Sequence, residues 1–129
     1  MAVQLNHTIV GARDKHESAH FLADVLGLPA PQEFGHFLVV HVDNGVSLDF
    51  ADSDEVTAQH YAFLISEQEF DEVYARVQAR GLTIWPNPWR GNEGHINHND
   101  GGRGFYFMDP SGHFLEVLTR PYGSGAAAS

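Results

Sequence analysis

The chain states one arrangement of potential metal ligands twice. Residues 5–10 read as a strand carrying His7, and residues 59–65 as a strand carrying His60. Each half then ends in a turn and a further strand, Asp43 to Phe50 and Asp109 to Val117, with a carboxylate four residues beyond the turn glycine: Asp49 after Gly45, Glu116 after Gly112. Neutral imidazoles and carboxylates are nitrogen and oxygen donors for divalent cations, and a duplicated module can bring equivalent positions around one ion. Alternate side chains of a strand share a face, so His7 lies with Leu5 and Ile9, His60 with Ala62 and Leu64, and Glu116 with Phe114 and Leu118. Ionisable groups on such apolar faces are costly unless satisfied, and a cation held by His7, His60 and Glu116 would satisfy all three. Two histidines and a carboxylate leave adjacent coordination positions open, which suits a substrate that chelates through two oxygens and, with iron, dioxygen as well. Fe(II), Mn, Ni and Zn share the preference for such a donor set.

Other residues qualify for supporting roles. Asp49 is equivalent to Glu116, but its side chain is one methylene shorter, so ligation would need a closer approach; the plain alternative is a hydrogen-bonded carboxylate near a strand end. His41, on the preceding strand, is a candidate acid or base because imidazole titrates near pH 6.5. Tyr106 lies ten residues before Glu116, on the same sheet, and is a further catalytic candidate. His98, in a long loop, is placed for substrate contact. Arg90 and Arg103 are candidates to pair with an anionic substrate group, and Trp89 to wall an aromatic pocket, whereas Trp85, at a strand end, reads as core.

The elements that must position these residues form two similar modules, about residues 4–52 and 57–120, within one domain spanning 1–129. After the first strand, Asp14 and Glu17 form a helix-start pair, and Phe21, Leu22, Val25 and Leu26 fall on one helical face that ends at Gly27. Residues 37–42 and 46–50 read as strands joined at Asp43-Asn44-Gly45, a hairpin turn. The second module repeats the plan, with Ser66 and Glu69 as a capping box, Phe70, Val73, Tyr74 and Val77 as the buried face, and Gly81 past the helix end. The longest loop, Pro86 to Gly102, is rich in Pro, Gly, Asn and His, and loops of that size tend to be functional. The tail 123–129 has little to pack and is expected to fray.

Composition narrows the classes. With 43% hydrophobic residues, including nine Phe, four Tyr and two Trp, 129 residues suffice for a real core. Seven basic against seventeen acidic residues give a net charge of −10, and no cluster of Lys or Arg exists to follow a phosphate backbone or an anionic membrane. The absence of cysteine rules out disulfides and thiolate ligation. No apolar run approaches the roughly 20 residues that span a bilayer, and no secretory leader is apparent, so a soluble cytoplasmic enzyme with a small-molecule substrate is expected.

The duplicated module, with histidines on its first strands and a carboxylate on the last, resembles the vicinal oxygen chelate superfamily, which includes glyoxalases, fosfomycin-resistance thiol transferases, bleomycin-binding proteins and extradiol dioxygenases. The likeness covers about residues 4–120. Its sharpest part is Ile96-Asn97-His98, then Phe105-Tyr106-Phe107-Met108-Asp109-Pro110-Ser111-Gly112, then Glu116, which looks like the extradiol signature. The resemblance implies an α+β fold of two βαβββ modules in curved mixed sheets with helices outside. The apolar sheet surface of each module needs cover and predicts a homodimer that shares modules, with the site built from one chain or from two, in the latter case His7 from one and His60 with Glu116 from the other. The resemblance also implies an extradiol-type dioxygenase acting on a small catechol- or enediol-like substrate, with Fe(II) as the favoured metal and Tyr106 bonding a substrate oxygen. Two alternatives stand beside this: a glyoxalase-like lyase or thiol transferase using a non-redox metal, in which Asp49 would be a fourth ligand, and a metal-free drug- or metabolite-binding protein. The Ser-x-Gly-x-Ser loop of the fosfomycin enzymes is replaced by Gly101-Gly102-Arg103-Gly104, which speaks against that substrate.

Overall fold

The computed structural model describes residues 3–125. The order of elements is β1 (His7–Ala12), α1 (Lys15–Leu26), β2 (Gln32–Phe34), β3 (Phe37–His41), β4 (Ser47–Asp52), β5 (His60–Leu64), α2 (Glu67–Ala79), a 3-10 turn (Asn99–Gly101), β6 (Gly104–Met108) and β7 (Phe114–Leu118). This is the expected α+β plan, distributed over two units.

The first unit comprises Met1–Thr57 with Asp109–Gly112. Its four-stranded sheet has the order β1-β4-β3-β2, in which β1 and β4 are parallel and the other pairs antiparallel. Val10 and Ala12 of β1, Leu38 and Val40 of β3, and Leu48 and Phe50 of β4 are buried with Ala19, Phe21, Leu22, Ala23 and Val25 of α1. Asp14 caps α1 by accepting from the backbone N–H groups of His16 and Glu17, and Gly27 ends it at φ 71°, a conformation that costs glycine nothing. The turn Asp109–Gly112, which sequence continuity placed in the second module, belongs here. Ser111 Oγ lies 2.8 Å from Ser18 Oγ and accepts from the Arg13 backbone N–H at 3.1 Å, and the Arg13 guanidinium donates to the Pro110 carbonyl.

The second unit comprises Ala58–Met108 and His113–Ser129, of which residues 126–129 lie outside the described part. Its three-stranded sheet has the order β5-β7-β6, with β5 and β7 parallel and β6 and β7 antiparallel. The strand expected after α2 is reduced to isolated bridges, Trp85 with Tyr106 and Asn97 with Gly104; Pro86 and Pro88 follow at once, and proline supplies no ladder donor. Ser66 and Glu69 complete the capping box of α2, an arrangement whose loss costs about 1 kcal/mol. Phe70 and Tyr74 bring the helix onto the edge of the Phe105 ring, at centroid distances of 5.4 and 5.9 Å.

Of the expected tail, residues 123–125 are described. Asp100 Oδ1 accepts from the N–H groups of Gly123 and Gly125, so these residues are held against the long loop. The remainder of that expected frayed tail falls outside the described residues.

Candidate metal and substrate site

The register of each sheet reproduces the sequence repeat. In the first unit Asp49 pairs with Ile9, two residues after His7; in the second, Glu116 pairs with Ala62, two residues after His60. Paired residues project from the same face, so each unit places its histidine and its carboxylate on one side of its sheet. These faces are apolar yet uncovered: Ile9 is 59% exposed and Leu64 60%.

Only the second unit brings its pair together. His60 Nε2 stands 3.1 Å from Glu116 Oε1, although Glu116 is just 1% exposed. His60 Nδ1 lies 3.0 Å from the Phe114 carbonyl, which can only accept, so Nδ1 carries a proton. In the neutral ring Nε2 then turns a lone pair toward a carboxyl oxygen, a contact that a proton on either partner or a cation between them would satisfy. Two ligands bound to one ion at right angles lie about 3 Å apart, and fixing of the ring through its other nitrogen is typical of ligating histidines. The donor set therefore fits a divalent cation. His113 provides the contrast: it is buried, and its Nδ1 accepts from the Gln59 N–H at 3.0 Å, a core histidine satisfied by backbone.

The other oxygen of Glu116 accepts from the Tyr122 hydroxyl, and Tyr122 in turn lies 2.9 Å from the hydroxyl of Tyr106. Burial, followed by the charge of Glu116, raises the Tyr106 phenol above its ordinary value, opposed by the bond to Tyr122. Burial and the bonds to Glu116 and Tyr106 raise Tyr122 further still. Both remain neutral donors at any physiological pH. Around them the rings form a shelf: His60 stacks near Tyr106 (5.6 Å, 24°), Tyr106 on Phe114 (5.3 Å, 26°), and Trp85 lies 5.8 Å from Phe114. Arg90, in a left-handed backbone conformation at φ 62°, suspends its guanidinium 5.8 Å from the Trp85 ring and 5.7 Å from that of Phe114.

The remaining candidates are placed elsewhere. His7 is exposed in the first unit, with Nδ1 2.7 Å from Asn6 Oδ1. Asp49 Oδ1 accepts from Ser47 Oγ at 2.9 Å, and exposed His41 occupies the same cross-strand row as Ser47 and His7. Arg103 is committed to α2: it bonds Glu67 at 2.7 Å and Asp71 at 2.9 Å and covers the Phe70 ring at 4.3 Å, which leaves Arg90 as the guanidinium beside the aromatic shelf. His98 stands exposed at the start of the 3-10 turn. Hydrogen bonds from Thr119 and Arg103 lower the Glu67 carboxyl. Trp89 is exposed. Gly102 presses against residues 119 and 120, where a Cβ would meet Thr119 Oγ1 at 2.6 Å, a packing reason for this glycine-rich stretch.

Among the described residues, no group of three or more His, Asp or Glu side chains is arranged to hold a metal ion, and His60 with Glu116 stands as a pair. Among the described residues, no helix is long and apolar enough to cross a membrane. Sequence reasoning missed Tyr122. β7 ends at Leu118 and Tyr122 lies in the turn after Pro121, so no strand alternation reaches it.

Residues 4–117 match the family model described as the Glyoxalase/Bleomycin resistance protein/Dioxygenase superfamily. The solved structure of oxidase ChaP-H2 superposes with a TM-score of 0.95 at 59% identity, covering 98% of this chain and all of that one. The glutathione transferase FosA of Serratia marcescens is 29% identical over 124 residues, 91% of this chain and 81% of that protein. The metallothiol transferase FosB of Shouchella clausii is 40% identical over 60 residues, 46% of this chain and 37% of that protein.

Proposed function

As the chain belongs to the Glyoxalase/Bleomycin resistance protein/Dioxygenase superfamily, we propose that it is a metal-dependent oxygenase acting on a small catechol- or enediol-like substrate. The observation that carries the reading is the buried Glu116 carboxylate facing His60 Nε2 at 3.1 Å, with the other ring nitrogen held by the Phe114 carbonyl, the arrangement of a ligating pair that a cation would satisfy. His60 and Glu116 are the two ligands of this unit, and His7 from a second copy is the third. A divalent cation held there, iron in this reading, supplies Lewis-acid and redox chemistry to a substrate with two adjacent oxygens.

The chain's own residues supply the rest. The stacked rings of Tyr106, Phe114 and Trp85 offer a flat apolar wall against which an aromatic substrate lies. Arg90 balances an anionic substituent at the Trp85 end. Tyr106, kept neutral, gives its proton to the Tyr122 hydroxyl at rest and turns it to substrate oxygen as negative charge grows there. Asp49 and His41 are assigned to proton transfer and His98 to the approach of substrate. The oxidative branch is favoured over a transferase by the 59% identity to a protein named an oxidase and by the engagement of Arg103 with α2.

A homodimer follows from the same reading. The exposed faces bearing Ile9 and Leu64 need cover, and the cation needs a third ligand, so a second copy is their occupant. Sedimentation at micromolar concentration should find a dimer of about twice 14.3 kDa; a stable, active monomer would remove His7 from the ligand set. The reaction itself is tested by oxygen uptake with a catechol panel. Iron-loaded protein should consume oxygen, and turnover only with nickel or zinc, without oxygen consumption, would replace the oxygenase by a Lewis-acid lyase or transferase.

A further inference from the structure

The segment matched by the family model ends at residue 117, yet the second oxygen of Glu116 is held from beyond it, by the hydroxyl of Tyr122. Tyr122 follows Pro121 in the turn after β7, and its residue is 57% exposed while the carboxylate it reaches is 1% exposed. The turn is fastened independently of that contact. Ser124 N–H donates to the Pro121 carbonyl at 3.1 Å, and Asp100 Oδ1 accepts from Gly123 at 3.1 Å and Gly125 at 3.3 Å. The approach is close enough that a Cβ on Gly125 would lie 2.0 Å from the Asp100 carbonyl oxygen. Residues 121–125 thus make a strap, tied to the long loop at one end and laying a phenol across Glu116 at the other.

We propose that Tyr122 is a positioning residue that fixes Glu116 with Oε1 turned toward His60 and so sets the affinity of the site for its cation; this rests on reading His60 and Glu116 as ligands. A carboxylate torsion is soft, and a buried oxygen that loses its donor turns to find another. With Tyr122 in place Oε2 is occupied, leaving Oε1 for the ion. Without it the two oxygens become equivalent, and the carboxylate must be ordered at the expense of cation binding. Partners of this kind that hold ligating side chains from behind typically contribute about 10–100-fold to metal affinity.

The test is a Co(II) titration followed by visible absorption, on full-length wild-type protein and on Tyr122→Phe, Asp100→Gly and Asp100→Asn, with the Tm of each metal-free protein. Tyr122→Phe keeps the exposed ring and removes one hydrogen bond, so its metal-free Tm should fall by no more than a few degrees while its Co(II) Kd rises about 10–100-fold. Asp100→Gly removes the strap's anchor, accepts the φ of 58° at this position and should weaken binding in the same direction. Asp100→Asn retains an acceptor oxygen and tolerates that φ, and should restore wild-type affinity. Wild-type Co(II) binding with an unchanged Kd in Tyr122→Phe would overturn the role of Tyr122 and leave the ligand reading intact. Failure of the wild-type protein to bind Co(II) would overturn both.

Discussion

A His60→Ala protein is expected to lose nearly all bound cation and at least about 100-fold in turnover while remaining folded. The His60 side chain is 47% exposed, and its hydrogen bonds among the described residues run to Phe114 and Glu116, so its removal takes little from the core. Loss of the imidazole leaves Glu116 as the sole ligand from its unit. Glu116→Gln should behave alike, because the amide keeps the shape of the side chain and can still accept from Tyr122 but no longer carries the charge that draws a cation into a buried site. Asp49→Ala is the control. Its carboxylate is engaged by Ser47 in the other unit, so this variant should retain its metal and lose turnover. Elemental analysis after dialysis, with Tm as the check on folding, reads all three. Full occupancy in His60→Ala would remove the residue from the ligand set, and metal loss in Asp49→Ala would make Asp49 a ligand.

Tyr106→Phe is expected to lower kcat by about 10²–10³ with little change in KM, the usual cost of deleting one donor aimed at developing charge. The split follows from the surroundings of the ring. Phenylalanine keeps the stack on Phe114 and His60, which holds substrate equally well in ground and transition states. The hydroxyl is the part whose interaction strengthens during the reaction. Burial and the neighbouring Glu116 keep this phenol protonated, so the loss should be the same across the neutral pH range. Steady-state oxygen uptake against substrate concentration separates the two constants; an increase confined to KM would assign Tyr106 to substrate binding alone.

The fold was legible because its signals are local and were stated twice. Caps at Asp14 and Ser66, the stop at Gly27 and alternation in the strands each act over a few residues, and the repeat fixed the register by which His60 meets Glu116. What escaped depends on contacts distant in sequence. The turn Asp109–Gly112 joins the first unit through Ser18 and Arg13, about a hundred residues away, and nothing in its neighbours announces it. Arg103 and Arg90 are the same residue type, and only the positions of Glu67 and Asp71 on α2 distinguish a scaffold cation from one beside the aromatic shelf. Tyr122 depends on Asp100, which holds the strap from within a loop whose left-handed residues follow no periodic pattern.

The central claim is that His60 and Glu116 together hold a divalent cation. It is tested most directly by the metal content of wild-type protein purified without oxygen and dialysed free of loosely bound ions. The expected result is about one equivalent of iron, manganese, nickel or zinc per chain, bound tightly enough to survive dialysis. Protein that remains metal-free, takes up none of these four ions when they are offered and still turns over substrate would contradict it.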